Sequence, residues 1–149
     1  MGGARLAAAA LTAAACVWRA PGEHAVIAFA REPRILRALD TPRPPDTLVD
    51  DVLDLRGHGV TGLASALREA ARQLDRSRAV RKVTVLLSDC RATDDEDPGP
   101  AALALPELLI IAPSEDTEEA ESLARVCGTR WAALSGPAEA PSVLTALLG

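Results

Sequence analysis

The chain has 149 residues, enough for one domain with a real core. Hydrophobic residues make up 48% of it but aromatics only 2%, so that core has to be built from Leu, Val, Ile and Ala. A formal net charge of −5 argues against a nucleic-acid partner, because phosphate binding needs a basic face.

The first residues, Met1-Gly-Gly-Ala-Arg5 and the apolar stretch Leu6–Trp18, have the outline of a short signal peptide. The stretch is too short to span a bilayer. It is mostly alanine, runs into Trp18-Arg19 without a small-x-small site, and has Ala13 where a lipid-attachment pattern at Cys16 wants a large apolar residue. A buried Ala-rich helix explains the same residues, and a cytoplasmic location goes with it. Pro21-Gly22 marks a turn, and His24–Phe29 reads as a strand with His24 at its surface or edge. Ile35–Leu39 gives a second short strand before the proline-rich turn Thr41–Pro45. Asp46 caps a helix running to about Leu55, with Leu48, Val49, Val52 and Leu53 on one side. Gly57 and Gly59 bracket His58 in a loop. An amphipathic helix from Thr61 to about Arg76 comes next, its buried stripe being Leu63, Leu67, Ala70 or Ala71, and Leu74. Arg68, Arg72 and Arg76 recur at helical spacing among acids and form a solvated face.

The run Val83–Leu87 is β-branched and aliphatic, as expected of a strand covered on both faces, and it stops at Ser88-Asp89-Cys90. An aspartate at the carboxyl end of such a strand stands where open α/β sheets place their ligand crevice. A hydroxyl and a carboxylate meeting there suit a hard cation. Taken singly, Thr61 reads as a helix N-cap and Asp89 as a cap on the loop after its strand. The acidic run Asp94–Asp97 lacks the alternation, the central glycine and the closing glutamate of an EF-hand, so it is expected to be a solvated, mobile loop. Leu105–Ala112 is the next strand, closed by Pro113. Asp116 with Glu119 resembles a capping box for a helix ending at Gly128. Arg130–Leu134 is a short strand, and Pro141 starts a last helix to Leu148. Cys16, Cys90 and Cys127 contain no C-x-x-C pair, so they are expected to be reduced thiols. The alternation of elements predicts an α/β fold, a three-layer sandwich with a mostly parallel central sheet and helices on both faces, over residues 1–149 as a single domain.

In this order and spacing the residues resemble a von Willebrand factor type A (VWA) domain. Gly59-Val60-Thr61 and Leu86-Leu87-Ser88-Asp89 resemble two of the three loops of that family's metal-ion-dependent adhesion site (MIDAS). His24–Phe29 resembles the family's second strand, and Leu67–Ala71 the helix after its threonine. Ser88-Asp89-Cys90-Arg91-Ala92-Thr93 is similar to the CoxE-like bacterial members. The resemblance implies a VWA/Rossmann-like sandwich and a non-enzymatic protein-interaction module. It also implies a magnesium or other divalent cation touched by Thr61 and Asp89. The implied partner is a MoxR-type AAA+ ATPase or its client metalloenzyme, with neither nucleic acid nor membrane involved.

Two departures stand out. Gly62 succeeds Thr61 where the family commonly has Asp or Asn, which predicts a looser second loop. The family also begins with a strand ending in Asp-x-Ser-x-Ser. Residues 1–6 resemble the stretch immediately after that motif, at the start of the family's first helix, so the fold is expected to be N-terminally truncated. The missing strand lies centrally in the family, between the strands read at His24–Phe29 and Val83–Leu87, whose edges would then be unpaired. A misassigned start, a non-functional remnant, or a strand donated by a partner would each account for it. Thr61 and Asp89 alone make a weak or absent magnesium site. Alternative functions are a secreted or lipid-anchored adhesion domain, if residues 1–18 are a signal peptide, and a nucleotide- or phosphoryl-binding domain. The latter needs a glycine-rich phosphate loop after a strand, whereas the glycines at 57, 59 and 62 come after a helix. A receiver-like phosphoacceptor role for Asp89 lacks the paired acids that would hold magnesium.

Overall fold

The computed structural model describes residues 3–20, 22–41, 43–53 and 61–149. In chain order they form α1 (Gly3–Arg19), β1 (Val26–Phe29), β2 (Pro33–Arg37), α2 (Pro45–Leu53), α3 (Leu63–Leu74), β3 (Thr84–Leu87), α4 (Gly99–Leu103), β4 (Leu108–Pro113), α5 (Glu118–Cys127), β5 (Arg130–Leu134), a 3-10 turn (Pro137–Glu139) and α6 (Ala140–Leu148). The order is the expected one, with the short α4 added in the segment read as loop. The readings placed on Gly57, His58, Gly59 and Val60 fall outside the described residues.

The fold is α/β, with β3, β4 and β5 side by side in a parallel sheet. Leu109 of β4 lies opposite Val85 of β3 and Arg130 of β5, and Ile111 opposite Leu87 and Ala132. The unbroken apolar run of β4 places it in the middle, where Leu108–Ala112 are all buried. Alternate side chains feed two cores, as the two-residue strand period requires. Leu86, Leu108, Ile110 and Ala112 pack with Leu63 and Leu67 of α3 and Leu123 of α5. Leu109 and Ile111 pack on the opposite side with Ala8 of α1 and Leu147 of α6. These are the three layers. A third cluster joins α1, β2 and α2 through Val17, Leu36, Leu48 and Val52.

Among the described residues, β1 and β2 form a separate antiparallel pair, so the strands make two sheets. This changes the burial of β3. Only Leu86 of its residues is fully buried and the rest are half-buried, against the expected cover on both faces. The edge of β3 that faces away from β4 borders a cleft with β1 on its other side. Its aliphatic residues have the composition of an inner strand in the position of an outer one.

Local chemistry departs from expectation at two further points. His24 is buried: its ring Nδ1 bonds the Ala20 carbonyl at 2.8 Å, and its Nε2 has no partner among the described residues. Burial pushes its pKa down. The side chain therefore sits inward, because the turn after α1 folds back over the start of β1. The capping box at Asp116 does not form. Thr117 is the N-cap of α5 and makes no side-chain cap bond, while Asp116 is held by Arg91. The other end of α5 closes as expected, with Gly128 left-handed at φ 64°.

Candidate functional site at the carboxyl edge of the sheet

The chain leaves β3 through a tight polar turn. Ser88 N–H still donates to Ile111 O of β4 at 3.0 Å, and Cys90 N–H then donates to Ser88 Oγ at 2.9 Å. Arg91 N–H donates to Asp89 Oδ1 at 3.0 Å, so one carboxylate oxygen does cap the loop. To make this turn Cys90 takes φ 61°, the left-handed region that a side chain enters at some cost. Burial, and then the charge of Asp89, push its thiol up to about 12. Such a thiol is a core side chain rather than a nucleophile.

Asp89 Oδ2 faces the Arg5 guanidinium of α1 at 3.7 Å, and Arg5 also reaches Glu115, beyond β4, at 3.5 Å. The N-terminal end of α1 is thereby tied to the carboxyl edge of the parallel sheet. Arg91 grips Asp116 with two bonds of 2.7 Å and lies 3.9 Å from both Glu118 and Glu119. The hydrogen bonds from Arg91, before its charge, hold the Asp116 carboxyl below the usual carboxylate range.

Thr61 comes to the same edge by a different route. Its N–H donates to Thr93 Oγ1 at 2.7 Å, and Thr93 N–H donates back to Thr61 O at 3.2 Å. The N-cap of α3 is Gly62, without a side-chain bond, so the Thr61 hydroxyl does not cap that helix. Gly62 is anything but loose. Its N–H donates to Ala30 O after β1, and a Cβ placed on it would stand 2.3 Å from Arg31 O. Glycine is what lets the start of α3 press against the β1–β2 turn.

Thr61 and Asp89 both line the cleft between β1 and β3, whose volume is about 1110 Å³. Among the described residues at its carboxyl mouth, Thr61, Ser88, Asp89 and Glu115 carry oxygen donors, but Ser88 Oγ already accepts from Cys90 N–H, Glu115 faces Arg5, and the two oxygens of Asp89 face Arg91 N–H and Arg5. Among the described residues no group of three or more His, Cys, Asp or Glu side chains is placed to hold a metal. Magnesium asks for near-octahedral oxygen coordination, so this donor set does not make a complete site. Arg91 and Thr93 were legible as part of the Ser88–Thr93 motif, but their pairing with Asp116 and Thr61, and that of Arg5 with Asp89, was not, because those partners lie far away in the chain.

No family model matches the chain, and no curated relative matches it. Several solved structures share its fold, two of them as follows. One, described as an aerotolerance-related membrane protein from Bacteroides fragilis with multiple mutations to serines, superposes with a TM-score of 0.71 at 12% identity, covering 99% of this chain and 88% of that one. The other, a von Willebrand factor type A protein from Catenulispora acidiphila, superposes with a TM-score of 0.70 at 18% identity over 93% of this chain. The present chain spans 36% of that second protein's length. The fold is therefore VWA-like. No helix among the described residues is long and apolar enough to cross a membrane.

Proposed function

We propose that the chain is a non-enzymatic VWA-type protein-interaction module of the CoxE-like kind, acting with a MoxR-type AAA+ ATPase or its client in metalloenzyme maturation. The observation that carries this reading is the arrival of Thr61 and Asp89 at one cleft, on a VWA-like fold, from loops 28 positions apart in sequence. In this reading the partner contacts the carboxyl edge of the sheet, where Asp89 and Arg91 lie. Magnesium contributes weakly or not at all, because two protein oxygens backed by Arg5 hold a dication poorly.

The direct test is a pairwise pulldown with a purified MoxR-type AAA+ ATPase. Binding is expected, and Asp89→Ala is expected to weaken it. Absence of binding, or binding by the variant at full strength, contradicts the reading.

A further inference from the structure

The amino edge of the parallel sheet, opposite the candidate site, has a chemistry of its own. β3, β4 and β5 all begin there, and Glu107, just ahead of β4, ties them together. Its carboxylate accepts two bonds from Arg81, at 2.9 and 3.0 Å, and one from Arg130 at 3.2 Å. Arg81 also donates to Leu148 O at the end of α6, where a cation suits the exposed carbonyls. Three more helices finish at this edge. α4 and α5 bring the chain back from the carboxyl edge to the starts of β4 and β5. α1 ends here because Glu23, shortly after it, accepts from Ser77 ahead of β3.

Among the described residues, the four large apolar side chains most open to solvent all belong to this edge. They are Val80 in the loop before β3, Trp18 in the last turn of α1, Val126 near the end of α5 and Leu103 at the end of α4. Single exposed apolar residues are ordinary, but their collection at one edge is not. Between Leu103 and Cys127 lies a cavity of about 220 Å³, with Leu105 and Pro106 in its lining and Arg130 at its rim. It has room for one bulky side chain.

Cations surround these groups. Four of the seven residues 76–82 are Arg or Lys. Their loop is held at both ends. Ser77 is buried, donates to Glu23 and accepts from Ala79 N–H, while Arg81 is fixed on Glu107. Arg78 and Val80, both exposed, are therefore presented on an anchored loop. Arg76 pairs with Asp40, and Arg81 and Arg130 share Glu107. Neither Arg78 nor Lys82 is in an ion pair among the described residues. The acids Asp89, Glu115, Asp116, Glu118 and Glu119 gather at the carboxyl edge instead, so a chain of net charge −5 is basic at one end.

We propose that this amino edge docks an acidic segment of another protein. Carboxylates of the segment meet Arg78 and Lys82, and one of its bulky apolar side chains enters the cavity beside Cys127. From the start of β3 to the start of β5 is two strand spacings, roughly 10 Å, which a few extended residues cross. An apolar centre with a charged rim is the anatomy of a protein contact. A second copy of this chain fits poorly, because the turns bearing Asp89 and Asp116 expose no large apolar side chain. A lipid surface would meet the cations and the exposed tips but does not call for a cavity. The proposal stands apart from the partner and cation reading at the carboxyl edge.

The test is fluorescence anisotropy of a labelled peptide of about ten residues, Glu and Leu in alternation, titrated with the whole chain. Saturable binding is expected, and a peptide of the same charge with Ser for Leu should bind at least about tenfold more weakly. Arg78→Glu combined with Lys82→Glu should weaken binding by about tenfold or more, and the uncharged change Leu103→Ser should weaken it too, whereas Arg34→Glu on β2 should leave it unchanged. Bound peptide should also slow alkylation of Cys127 and leave that of Cys16 as it was. Absence of saturable binding overturns the proposal. Equal binding of the Ser peptide does so as well, since the edge would then offer bare charge. Stronger binding to phosphatidylserine vesicles than to the peptide would make the occupant a lipid surface, and salt-sensitive self-association lost in the Arg78→Glu, Lys82→Glu variant would make it a second copy. Either result overturns it too.

Discussion

Gly62 and Cys90 carry the backbone burden of the candidate site, and they do so in opposite ways. At Gly62 the absence of a side chain is needed, since a Cβ would stand 2.3 Å from Arg31 O. Gly62→Ala should therefore cost about 1–3 kcal/mol, through overpacking against backbone that cannot step aside. Equilibrium denaturation measures this, and an unchanged midpoint would show that the contact gives way. At Cys90 a side chain is kept in spite of a left-handed φ of 61°, because its thiol fills the core beside Leu63 and Leu67. Burial pushes the Cys90 thiol up to about 12 and the Cys16 thiol to about 11. Burial raises the half-buried Cys127 thiol as well, so alkylation of the folded protein at neutral pH should be slow at all three cysteines and slowest at the fully buried Cys90, read residue by residue by mass spectrometry. Rapid modification of Cys90 would contradict its place in the core.

Between elements, the Arg91–Asp116 pair joins the turn after β3 to the turn after β4. Asp116, Glu96 and Glu107 all have their carboxyl pKa lowered, by Arg91, Arg68 and Arg81 respectively. A carboxylate with a depressed pKa in the folded state stabilises that state above its unfolded pKa, about 4, and loses the contribution as pH falls through the folded value. Stability should thus be flat near neutrality and decline in acid. Asp116→Asn should make the acid limb shallower in urea midpoints measured from about pH 6 to pH 3. An unchanged limb would show that the pair is fully screened at the surface.

The elements were largely legible in the sequence, because hydrophobic period and turn residues are local signals. The apolar run Leu108–Ile111 announces a buried strand, and Gly128 announces a helix end. What the sequence does not carry is partnership across distance. Asp116 offers the pattern of a capping box, yet a bidentate arginine from another loop outcompetes the local N–H. His24 offers no sign of burial, because its cover comes from the end of α1 and from Arg37. Thr61 and Asp89 were both legible as candidates. Unpaired edges on the strands at His24–Phe29 and Val83–Leu87 were expected from the VWA resemblance, whereas the reach of Arg5 from α1 to Asp89 emerged only from the three-dimensional arrangement.

At the scale of the whole molecule, one feature governs both the sheet and the site. The strands divide into β1-β2 and β3-β4-β5, and the cleft between them opens at the carboxyl edge where Thr61 and Asp89 stand. Among the described residues, no group of three or more His, Cys, Asp or Glu side chains at that edge is placed to hold a metal. Under the function proposed above, this VWA-like fold serves as a scaffold for protein contact that does not depend on a tightly held cation. Isothermal titration of the chain with magnesium tests this most directly. The account predicts no saturable binding below about 1 mM, and a micromolar Kd for the unmodified chain would contradict it.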